Sequence, residues 1–69
     1  MKKVPVSCYR SLVRQLKCFP SDLDSLRDQF FMGYITALLH CEKINVTSYN
    51  ELCDMGVDGF FEFCDFIGI

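Results

Sequence analysis

The chain has 69 residues, 51% of them apolar and 14% aromatic, and a formal net charge of −2 at pH 7. That is too hydrophobic for a disordered segment, and no apolar run approaches the roughly 18 residues that a membrane-crossing helix needs. What is left is one small domain over residues 1–69, near the size at which a single core barely offsets the entropy lost on folding, so that a partner or a second copy would help to cover its apolar surface.

Residues 1–6 read as a short arm, in which Pro5 discourages helical geometry at Val4. Ser7 is then placed to cap a helix over 8–18. Cys8, Leu12, Leu16 and Phe19 follow helical spacing with Tyr9 and Val13 beside them, while Arg10, Arg14 and Lys17 turn outward. This is an amphipathic basic helix. Pro20 ends it, because a proline ring pushes its predecessor out of helical geometry.

The spacing next predicts one long helix over 21–43, with Ser21 or Asp22 as its cap and Asp22 and Asp24 where the macrodipole favours negative charge. Leu23, Leu26, Phe30, Tyr34, Ala37 and Cys41 recur at steps of three or four and mark one face. Phe31, Ile35, Leu38 and Leu39 widen that face beyond what one neighbour would cover, so the rest of the chain is expected to fold onto this helix. Gly33 in its middle costs about 1 kcal/mol relative to alanine, which a second helix approaching a position without a Cβ would offset. Phe31, Gly33, Ile35 and Ala37 are on that account the candidates for a homodimer seam.

Over 42–47 the periodicity lapses into a turn anchored by Ile44 or Val46. Ser48 and Glu51 have the spacing of a capping box, with Thr47 as the alternative cap, for a helix that carries Tyr49, Leu52 and Cys53 inward and stops near Gly56. Phe60, Phe63, Cys64 and Ile67 then give a short terminal helix with Asp58 as its cap, although Phe61, Glu62 and Phe63 also fit the alternation of a strand. The expected fold class is therefore all-α, a small bundle of three to four helices built around the long one. The segment 31–52, with its Gly-Tyr-Ile-x-Ala-Leu core and Ile-x-x-x-x-Tyr-x-x-Leu continuation, resembles small helical accessory proteins of bacteria, phages and plasmids over a third of the chain. These residues build any helical hairpin, so the resemblance implies a fold and no activity.

Few groups here are arranged for chemistry. His40, the one histidine, precedes Cys41, but helix neighbours point about 100° apart and do not form a nucleophile and base pair. The five cysteines, Cys8, Cys18, Cys41, Cys53 and Cys64, include no C-x-x-C pair, so no metal, no cofactor and no enzymatic activity is expected. Their odd number fits reduced thiols in a cytoplasm, and the start Met1-Lys2-Lys3 lacks the apolar stretch of a secretion signal. The sequon Asn45-Val46-Thr47 is then a coincidence.

Charge is segregated instead. Lys2, Lys3, Arg10, Arg14 and Lys17 lie in the first seventeen residues, and all nine acids lie beyond residue 20. Ordinarily this means that the first helix lies beside an acidic part of the same molecule. Glu51, Asp54, Asp58, Glu62 and Asp65 recur every three or four residues without the ligand order of a calcium loop. They form either a solvated side or a face that meets a basic partner in place of nucleic-acid phosphate. A helix-turn-helix with 49–55 as reader would carry acids and no cation toward DNA, so direct nucleic-acid binding is not expected there. The function expected is a non-catalytic adaptor or inhibitor that docks on a larger protein or nucleoprotein complex. One concrete form is a phage- or plasmid-borne inhibitor of a bacterial defence system, of anti-CRISPR or anti-restriction type. The alternative is a small transcriptional regulator that binds DNA non-specifically through Lys2, Lys3, Arg10, Arg14 and Lys17.

Overall fold

The computed structural model describes residues 5–69, so most of the expected arm, with Lys2 and Lys3, lies outside the described residues. Helix α1 spans Val6–Lys17, a 3-10 turn occupies Ser21–Leu23, helix α2 spans Asp24–His40 and helix α3 spans Val46–Phe66. Each helix packs against the other two, and no strand occurs among the described residues, 61–63 included. The architecture is a three-helix, all-α bundle.

Helix α1 begins at Val6, earlier than a Ser7 cap would allow, because Pro5 occupies the cap position and its carbonyl accepts the Tyr9 amide at 3.0 Å. The long helix expected over 21–43 is trimmed at both ends. At its start Leu23, at φ −115° and ψ 37°, separates the 3-10 turn from α2, and neither Ser21 nor Asp22 makes a side-chain cap. At its end the amides of Glu42 and Lys43 donate to the carbonyls of Leu39 at 3.0 Å and Leu38 at 2.9 Å. This is a Schellman turn, and it forces Glu42 to the left-handed φ of 60° that usually selects glycine. Glu42→Gly is therefore expected to stabilise the fold by up to about 1 kcal/mol, the relieved strain less the entropy a glycine adds to the unfolded chain. A rise in the thermal midpoint followed by circular dichroism would show it.

Helix α3 is capped by Asn45, whose side-chain oxygen accepts the Ser48 amide at 2.8 Å. Ser48 is thus the donor at the third position and not the cap, Thr47 is not the cap either, and the sequon asparagine has a structural task. Ile44 is buried and Val46 exposed, so Ile44 anchors the turn. The break expected near Gly56 is present: Gly56, at φ 70° and ψ −172°, joins two helical segments of α3 across a kink. The chain resumes helical geometry at once, and Asp58 lies on the outside without acting as a cap. A second Schellman turn closes α3. The amides of Gly68 and Ile69 donate to Asp65 at 3.2 Å and Cys64 at 2.8 Å, and Ile69 packs back on the core.

The core joins Tyr9, Leu12 and Leu16 of α1 to Phe31, Ile35 and Leu38 of α2 and to Leu52, Val57, Phe60 and Cys64 of α3, and among the described residues no polar or charged side chain is buried with them. Phe60 is its centre. The Phe31 ring lies 5.3 Å from it at a tilt, and the Tyr9 ring 5.3 Å from it edge-on, so each helix contributes one aromatic to the same knot. The face of α2 expected to be principal is the outer one: Leu23, Leu26, Ala37 and Cys41 are exposed, and Phe30 and Tyr34 only half-buried. Because α2 is apolar around most of its girth, its period does not single out the buried side. The aromatic knot does, by drawing in Phe31. Gly33 faces outward, with nothing within 4 Å of where its Cβ would stand. Among the described residues no other helix approaches it.

Candidate interaction surface

The groups with reactive potential are dispersed. His40 ends α2 in the open, Cys41 follows it exposed, and the five thiols are unpaired. Among the described residues no three His, Cys, Asp or Glu side chains gather to hold a metal ion, and no helix is long and apolar enough to cross a membrane. Cys64 is buried on α3, and burial, aided by the charge of Asp65, pushes its thiol from 9.0 up to about 11. Burial also raises the Tyr9 phenol, with smaller contributions from Cys64, Cys8 and Glu51.

Both shifts favour the neutral form in the fold. The unfolded chain thus loses protons first, and stability that is fully present below pH 9 falls as pH rises toward 11. Urea titrations across that window are expected to show a falling midpoint, with a shallower fall for Cys64→Val.

The surface carries two charged stripes. Arg10, Arg14 and Lys17 stand on the side of α1 opposite Leu12 and Leu16, all three exposed. The ion pairs among the described residues all belong to Arg27, which reaches Asp24, Asp28 and Asp58 at 4.0 Å each, so no carboxylate lies within that distance of Arg10, Arg14 or Lys17. Helix α1 does lie beside α3, and the Lys17 ammonium sits 5.9 Å above the Phe61 ring, but its cations are not spent on neighbouring acids.

The five acids singled out in the sequence are all exposed, Glu51 and Asp54 before the Gly56 kink and Asp58, Glu62 and Asp65 after it. Asp58, Glu62 and Asp65 align on α3 opposite Phe60 and Cys64. Before the kink Asp54 likewise stands opposite buried Leu52. Arg27 of α2 comes within 4.0 Å of Asp58 on this helix, its Nε sealed from solvent without a hydrogen-bond partner.

The four seam candidates also divide. Phe31 and Ile35 belong to the chain's own core, while Gly33 and Ala37 are exposed on the opposite side of α2 near Leu26. The most exposed large apolar side chain among the described residues, Phe66 at 88%, went unmarked in the sequence. Its signal was there: it stands four residues after Glu62 and eight after Asp58, and so prolongs the acidic stripe. No family model matches the chain, and neither a curated protein nor a solved structure matches it.

Proposed function

We propose that the chain is a non-catalytic interaction module, an adaptor or inhibitor that works in a reducing cytoplasm by docking its acidic α3 face on a basic partner. The observation that carries this reading is the segregation of the molecule into an apolar core and an exterior on which Asp58, Glu62 and Asp65 line up exposed. Aligned carboxylates compete for the Lys and Arg of a channel that otherwise holds nucleic acid. An inhibitor of a nucleic-acid-processing defence machine, phage- or plasmid-borne, is the version this chemistry fits.

A second reading has its own observation. Arg10, Arg14 and Lys17 form an exposed stripe without intramolecular ion pairs, which suits phosphate contacts in a small regulator. One pair of assays separates the two. If the acidic face docks, Asp58→Lys with Glu62→Lys weakens capture of the basic partner roughly tenfold or more, and duplex DNA is not retained. If α1 binds DNA, retention at low salt is lost with Arg10→Glu and Arg14→Glu and the acidic variant binds as well as the parent.

A further inference from the structure

We infer that the acidic face of α3 is also met by the basic face of α1 from a second copy of the chain, so that self-association competes with the partner for it. This rests on the proposed docking role of that face and adds a second occupant. The argument is charge and register together. Along α1, Val6, Arg10 and Arg14 follow one another at four-residue steps, all exposed. Along α3, read from its C-terminal end, Phe66, Glu62 and Asp58 do the same, and Phe66 and Val6 are 88% and 42% exposed.

Each step is about 6 Å of helix. An antiparallel approach therefore sets Val6 against Phe66, Arg10 against Glu62 and Arg14 against Asp58 in a single register, while a parallel one places Arg14 beside Phe66 and Val6 beside Asp58. The apolar pair covers Phe66, the most exposed aromatic ring among the described residues. The charged pairs fix direction, as opposite rim charges do in protein interfaces. Within one chain these groups stay apart, since neither arginine has a carboxylate within 4 Å.

Sedimentation velocity on the purified chain tests this without any partner. In about 0.1 M salt the mass should exceed that of a monomer and grow with concentration, and it should return to monomer near 1 M, where the Debye length falls from about 10 Å to about 3 Å. Arg10→Glu with Arg14→Glu, or Asp58→Lys with Glu62→Lys, should weaken association roughly tenfold or more, and all four changes in one chain should restore it. A wild-type chain that stays monomeric at low salt overturns the inference. So does association that survives 1 M salt and is abolished by Ala37→Glu, which would put the contact on the outer side of α2. If a reversed variant does not fold, the salt dependence of the wild type still decides. Loss of self-association would leave partner capture standing, and loss of partner capture alone would leave this contact standing.

Discussion

Phe60→Ala is expected to leave most of the chain unfolded at 25 °C. The ring is fully buried, touches Phe31 and Tyr9 at centroid distances of 5.3 Å, and is where all three helices meet. Truncating a core phenylalanine costs about 3–5 kcal/mol, from lost transfer energy and from a cavity that the surroundings fill only partly. A chain of this length holds roughly 3–10 kcal/mol in total. The loss is thus comparable with the whole stability. Near-ultraviolet circular dichroism should lose its aromatic signal and the urea transition should move close to zero denaturant. Phe60→Leu, which keeps most of the volume, should remain folded with a lowered midpoint. If Phe60→Ala keeps a transition like that of the parent, the central knot is not what joins the helices.

Helix content and order were readable from the sequence because three local signals agree: Pro20 and Pro5 as limits, the 42–47 lapse in periodicity, and the inward Leu12 and Leu16 pattern of α1. The caps were harder. Asn45, Ser48 and Thr47 all offer a capping oxygen within four residues, and which one is used depends on where buried Ile44 pins the chain. Glu42 in a left-handed turn has no glycine to announce it.

The choice of buried face on α2 was out of reach for a different reason. A helix apolar on nearly every side carries little directional information, and the decision belongs to residues far along the chain, Phe60 above all. For the surface, the spacing of the charges gave the two stripes but not how α3 continues past Gly56. The bend between its two halves follows from a single backbone angle there.

That angle supports the second large effect. Gly56→Ala should destabilise the fold by about 1–3 kcal/mol, because φ 70° with ψ −172° is open to glycine and strained for a residue with a Cβ. The space around the missing Cβ is empty within 4 Å, so the penalty comes from the backbone and not from a clash. Straightening the helix does not relieve it. In an unbroken α3, Phe60 would stand about 80° and Val57 about 140° around the axis from Leu52, since successive residues turn by about 100°. Leu52, Val57 and Phe60 are nevertheless all buried in one core, so the kink is what returns the second half of the helix to the side of the first. Alanine must therefore either keep the strained angle or swing the aromatic knot out of place.

Gly33→Ala is the matched control. It too adds one methyl at a glycine with nothing within 4 Å, but at an exposed mid-helix site without positive φ, where it should stabilise by about 1 kcal/mol. Urea midpoints that move in opposite directions for the two alanines would confirm that the backbone of Gly56 sets the register of α3. A Gly56→Ala chain as stable as the parent would mean that α3 packs equally well unbroken.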